Sequence, residues 1–244
     1  MIHFKNVTKR FKKTVAVDNL DLVIPKGKTV ALIGANGSGK TTIMRMIATL
    51  IAPTQGEIYV NGLNAKKYVG EVRREIGLML GGDVALMKRF SARENILFYA
   101  GMQGMEKMEA EKRMLELSNQ LQMCEYLERR VETFSRGMRQ KVLLAQTLIH
   151  DPSILLLDEP STGLDIFATM EIQSLIKECN KMGKTILISS HNMSEVKALC
   201  NYFIIIDKGK LLFIGDTVQM QEKCGTADIG LAFTKLITEQ KEEE

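Results

Sequence analysis

The residues best suited to chemistry come early. Gly34, Ala35, Asn36, Gly37, Ser38, Gly39, Lys40 and Thr41 fit the pattern G-x-x-x-x-G-K-[ST]. Glycines at this spacing let the backbone wrap closely, so that successive N–H groups and a helix N-terminus face the oxygens of a phosphate chain. Lys40 adds positive charge, and Thr41 offers a hydroxyl to a cation such as Mg²⁺. A glycine-rich turn that merely caps a helix is the bland reading. The flanks argue against it: the apolar run Thr29 to Ile33 precedes the loop, and Ile43, Met44, Ile47 and Leu50 follow at helical spacing. Strand, glycine loop and helix is the context that phosphate binding requires.

A phosphate loop alone leaves kinases, GTPases and ATPases open. The second half of the chain chooses among them. Ile154 to Leu157 are four apolar residues that carry Asp158 and Glu159 out at a strand's end. That placement sets one carboxylate near the metal and the next where it can polarise an attacking water. A third polar group, His191, follows the apolar strand Thr185 to Ser189; its imidazole can work neutral or charged near pH 7.

These groups need elements to hold them. Leu20, Leu22 and Ile24 alternate with polar positions before Pro25, Lys26 and Gly27, which reads as a hairpin entering the buried strand Thr29 to Ile33. A helix is expected over Lys40 to Leu50. Glu57 to Val60 reads as a strand ending in a tight Asn61-Gly62 turn, and Ile76 to Leu80 as another short strand. From Ser91 to Arg130 the chain is rich in Met, Leu, Glu and Lys, with Ser91 and Glu94 spaced as a capping box, so this stretch reads as helical. Helices follow over Arg136 to His150, stopped by Asp151-Pro152, over Ile166 to Lys181, and near Asn192 to Leu199. A hairpin turns at Asp207 to Gly209, and a short helical tail from Thr226 ends in the solvated run Lys241 to Glu244. Strands alternating with helices imply an α/β fold with a mainly parallel sheet.

With 244 residues and 45% hydrophobic content, the chain can bury one large core with a smaller lobe attached. A net charge of +4 is too small to suggest a nucleic-acid grip. Cys124, Cys179, Cys200 and Cys224 lie far apart, with no metal spacing, which suits reduced thiols in the cytoplasm. No apolar run approaches the roughly 20 residues of a membrane span, and the first residues do not read as a signal peptide.

Taken together, the motifs resemble the nucleotide-binding subunits of ABC transporters, over nearly the whole chain. Gly34 to Thr42 is similar to the Walker A segment, so Thr42 joins the phosphate contacts, and Ser135 to Gln140 is similar to the signature motif. Ile154 to Glu159 resembles Walker B, Ser161 to Asp165 the D-loop, and His191 the switch histidine. The resemblance implies a P-loop core with a mainly parallel sheet, an antiparallel β subdomain and a helical subdomain over about residues 84–150. It implies ATP with Mg²⁺ on Thr41 and Asp158, catalysis by Lys40, Glu159 and His191, and Phe11 under the adenine. It also implies that Ser135 and Gly137 cap the γ-phosphate of ATP held by a second copy or a paired subunit, although Ser135 alone reads equally well as a helix N-cap.

The match departs from the family in two places. Arg136 stands where the commoner signature has its first glycine, and no glutamine occupies the Q-loop position, which reads Gly81-Gly82-Asp83. Asp83 is a candidate replacement, beside the simpler reading of a glycine turn without a ligand role. The S-R-G-M string resembles a subgroup of bacterial exporters whose membrane permease is a separate chain, which places this chain at the cytoplasmic face of the membrane. Rival readings are a non-transport ABC ATPase acting on ribosomes or DNA, and an ATP-binding regulatory module with little turnover.

Overall fold

The computed structural model describes residues 1–80 and 86–243, the side chains of 240–243 excepted. The Gly81-Gly82-Asp83 segment, Glu244 and the side chains of Lys241 to Glu243 therefore lie outside the described residues.

Two sheets face each other. The first is antiparallel, in the order β2-β1-β4-β5, from β1 (Ile2–Phe11), β2 (Thr14–Ile24), β4 (Gln55–Val60) and β5 (Leu63–Asn64). The second has six strands in the order β10-β9-β3-β8-β7-β6. These are β3 (Thr29–Ile33), β6 (Ile76–Met79), β7 (Ile154–Asp158), β8 (Thr185–Ser189), β9 (Tyr202–Asp207) and β10 (Lys210–Asp216). Its pairs are parallel except β9 with β10, which are joined by the hairpin expected at Asp207 to Gly209.

Every residue of β3, β7 and β8 is buried. Such strands read as continuous apolar runs because both faces of a parallel sheet are covered. The faces still alternate. Val30, Leu32, Ile154 and Leu156 join a core shared with the antiparallel sheet and helix α1 (Lys40–Ile47). Ala31, Ile33, Leu155 and Leu157 join the opposite core with the helices that follow β6. Each fully buried Leu or Ile contributes about 1.5–3 kcal/mol relative to exposure.

Between β6 and β7 the described chain is mainly helical: α3 (Ala92–Met102), α4 (Lys107–Gln120) and α5 (Arg136–Leu148). The capping box at the start of α3 is formed, with Glu94 N donating to Ser91 Oγ at 3.1 Å and Ser91 N donating to Glu94 Oε2 at 2.7 Å. After β7 come α6 (Ile166–Lys181) and α7 (Met193–Leu199), at the expected places.

Two expectations need correcting. Leu20 to Ile24 does not form a hairpin with Thr29 to Ile33, because β2 pairs with β1 while β3 pairs with β8 and β9. The N-terminal strand β1, unforeseen in the sequence, supplies the partner, and the Pro25 to Gly27 turn carries the chain between sheets. Helix α1 stops at Ile47 rather than Leu50: Thr49 turns left-handed at φ 59°, leaving Leu50 exposed. Two short helices, α2 (Val69–Glu75) and α8 (Thr217–Cys224), were also unforeseen, and the tail helix α9 spans Ile229–Glu243.

Candidate active site

The site lies where the carboxyl ends of β3, β7 and β8 meet, the usual place for ligands in open α/β sheets. Register sets it: Asp158 lies beside Ser189, and Ser189 beside Leu32, so the phosphate loop, the acidic pair and the histidine leave the sheet at one level. A cleft of about 340 Å³ is lined by Ala16, Asn36, Gly37, Gly39, Lys40, Thr41, Thr42, Asp158 and Glu159. A larger cavity of about 530 Å³, bounded by Met46, Ile51, Pro53 and Ile58, contains none of the candidate residues.

The loop's geometry demands its glycines at two points. Gly39, at φ 109°, caps α1, and a Cβ there would stand 2.5 Å from the Ala16 carbonyl. A Cβ on Gly34 would stand 2.3 Å from Ser38 Oγ. The Lys40 ammonium donates to Gly34 O at 2.7 Å and to Ala35 O at 3.0 Å, which keeps it inside the curve of the loop. Burial pushes the Lys40 pKa below the ordinary lysine value, against the opposing pull of Asp158 and then Glu159.

Thr41 donates its hydroxyl to Asp158 Oδ2 at 3.0 Å, and Ser189 donates to Asp158 Oδ1. Glu159 sits left-handed at φ 53°, a costly backbone for a non-glycine residue, and its N–H donates to Ser189 O at 2.9 Å. Both oxygens of its carboxylate have partners. Oε1 lies 3.0 Å from His191 Nδ1, while Oε2 accepts from the Thr162 hydroxyl at 3.1 Å.

The residues present fit a nucleotide triphosphate and a hard cation. Ser38 Oγ is buried without a hydrogen-bond partner inside the loop. Thr41 and Asp158 offer adjoining oxygens of the kind Mg²⁺ takes. Among the described residues no cluster of three or more His, Cys, Asp or Glu could hold a metal alone, so phosphate and water would complete its shell, as Mg²⁺ prefers.

Other candidates sit apart. Ser135 caps α5, its Oγ accepting from Met138 N at 3.2 Å; it and Gly137 do not line the cleft. Gly137 is not sterically required, since a Cβ there would meet Ala168 at an ordinary 3.5 Å. Phe11, at the end of β1, is 45% exposed and covered by Lys9, whose Nζ lies 4.9 Å from the ring centroid; it is no core residue and does not line the cleft. Residues given no role of their own in the sequence also matter: Ser189 and Thr162 hold the two carboxylates, and Gln140 Nε2 donates to Pro160 O at 2.7 Å, tying α5 to the loop after β7. For Ser189 the sequence signal was a hydroxyl at the end of a buried strand, and for Thr162 its place within the D-loop segment.

Comparison with known proteins decides the family. The ABC transporter family model matches residues 17–162, and the ABC transporter ATP-binding protein NatA of Bacillus subtilis (strain 168) is 42% identical over 97% of this chain and 98% of its own. The chain belongs to the ABC transporter family. Its fold agrees throughout: a solved ATP-binding subunit of an ABC transporter superposes with a TM-score of 0.90 at 26% identity, covering 97% of this chain and 99% of that one. The ATP-binding cassette MJ0796, solved as a dimer in a post-hydrolysis state with ADP and Pi, gives 0.82 at 27% identity over 88% and 98%. This ABC cassette is an ATP-binding ATPase of a transporter. No described helix is long and apolar enough to cross a membrane.

Proposed function

We propose that this subunit powers a bacterial exporter by ATP-driven closure of a head-to-tail dimer, beside a permease carried on a separate chain at the cytoplasmic face of the membrane. The observation that carries the reading is the convergence of Lys40, Thr41, Asp158, Glu159 and His191 at the carboxyl ends of the central strands, while Ser135 and Gly137 stand apart from them. A signature motif outside its own cleft is complete only when it serves a second copy.

In this reading the loop amides, with Lys40, hold the phosphates, and Thr42 adds a hydroxyl. Thr41 and Asp158 hold Mg²⁺, which when bound offsets charge on the phosphate oxygens. Glu159 takes a proton from the attacking water, and its hydrogen bonds to His191 and Thr162 aim the carboxylate. His191, 63% exposed at its side chain, faces outward and can also donate to the γ-phosphate. Ser135 and the α5 N-terminus offer N–H and O–H donors to a partner's γ-phosphate. Phe11, exposed at a strand end, offers an aromatic face to the adenine. Export rests on the S-R-G-M resemblance.

The test is Glu159→Gln with Mg·ATP in analytical ultracentrifugation. The variant should accumulate as a dimer that the wild type, by turning over, does not hold; normal turnover and a persistent monomer would sink the assignment. Recovery of a multi-span protein with the tagged chain from solubilised membranes checks the permease, and recovery of ribosomes instead would count against it.

A further inference from the structure

The tail helix α9 takes no part in the chemistry above, yet it reaches the site. Phe233 walls a cavity of about 470 Å³ whose other sides include Asn36, Glu159, Ser190, His191 and Met193. This cavity shares Asn36 and Glu159 with the triphosphate cleft but not Lys40, Thr41 or Asp158.

Helix α9 is firmly seated. Ile229, Ala232 and Leu236 are buried along one face, and Phe233 packs half-buried against the same core as Met193. At its start Asp228 Oδ1 accepts from Gly230 N at 2.9 Å and Leu231 N at 3.1 Å, while Oδ2 accepts from the Lys197 ammonium of α7 at 2.7 Å. The tail is thus pinned to α7 by an ion pair and by apolar contact.

That matters because α7 begins two residues after His191. Among the described residues the exposed imidazole has one hydrogen bond, to Glu159 at 3.0 Å. With a single hydrogen bond among the described residues, the place of the ring depends on the backbone from Ser190 to Met193 that carries it. That backbone is set by the seating of α7 and by the Asn192 cap, whose Oδ1 accepts from Ser194 N at 3.0 Å and Glu195 N at 3.3 Å.

We propose that Phe233 is a positioning residue for His191: by walling the cavity and seating α7, it holds the imidazole within hydrogen-bond reach of Glu159. The inference rests on the reading of Glu159 and His191 as the catalytic pair.

The chain has three histidines, so imidazole ¹⁵N NMR of the full-length protein resolves each ring, with His191→Gln identifying its signals. In Phe233→Ala the His191 Nδ1 signal should move toward an unbonded position while those of His3 and His150 stay, and Phe233→Leu should restore it. ATP turnover should fall by up to about a hundredfold with KM for ATP unchanged, the scale of a catalytic group misplaced by about 1 Å. Placed on His191→Ala, Phe233→Ala should cost nothing more. An unmoved His191 signal, equal movement of all three rings, or a full additional loss on His191→Ala would overturn the proposal. Should Phe233→Ala not fold, Phe233→Val trims the same wall with a smaller loss of packing, and the same movement confined to His191 is expected, its absence overturning the idea. Wild-type turnover in His191→Ala would instead remove the catalytic reading and leave the NMR result standing by itself.

Discussion

The Thr41 hydroxyl donates to Asp158 Oδ2 at 3.0 Å across 117 residues of sequence. The first residue pair of α1 and the last residue of β7 meet because the two strands that lead to them lie one strand apart, with β8 between. Asp158 is buried and has both oxygens engaged, by Thr41 and Ser189.

Asp158→Asn should therefore fold, since the amide oxygen still accepts one hydroxyl, yet lose the charge proposed to hold Mg²⁺. ATP turnover is expected to fall about a hundredfold or more, with a raised Mg²⁺ requirement. Turnover measured against Mg²⁺ concentration checks this; an unaltered Mg²⁺ dependence would refute Asp158 as a ligand.

The Arg136 guanidinium lies against Gly163, which sits left-handed at φ 73°; a Cβ built there would be 2.4 Å from Nη1. Gly163→Ala should thus displace Arg136 and strain the D-loop, destabilising the fold by about 1 kcal/mol in urea unfolding. Adding Arg136→Ala should recover the steric part of that loss. Purely additive effects would show that the two residues do not touch in solution.

His150 should make stability pH-dependent. Its Nε2 lies 3.1 Å from Ile76 O, its ring packs on Tyr99, and Nδ1 is buried without a partner. Burial, as the largest cause, pushes its pKa below the usual 6.5, with Lys184 also lowering it and the Ile76 bond and Asp151 opposing. The unfolded chain then binds the proton more readily, so stability falls as pH drops below about 6.5 toward the folded value. Urea midpoints between pH 7.5 and 5.5 should show this fall, and His150→Gln should flatten it; an equal slope in the variant would refute the assignment.

Much of the site could be read from the chain because its parts are local. Gly34 to Thr41 needs only a strand before and a helix after, and both announce themselves by periodicity. The α6 and β8 boundaries were legible for the same reason, as was the capping box at Ser91. The elements that escaped were those whose identity depends on a distant partner. β1 is a strand because β2 and β4 flank it, and α1 ends early because Thr49 bends to join β4, which no periodicity displays.

By itself the sequence determined the chemistry on offer: a phosphate loop, two adjacent carboxylates, a histidine and a capped signature helix, each encoded within a few residues. Tertiary structure alone decided how they meet. Sheet register brings Asp158 to Thr41, the left-handed turn at Glu159 aims its carboxylate at His191, and α9 reaches back to α7. These relations join residues far apart in the chain, and they arise only when burial of two apolar cores fixes which strands lie side by side.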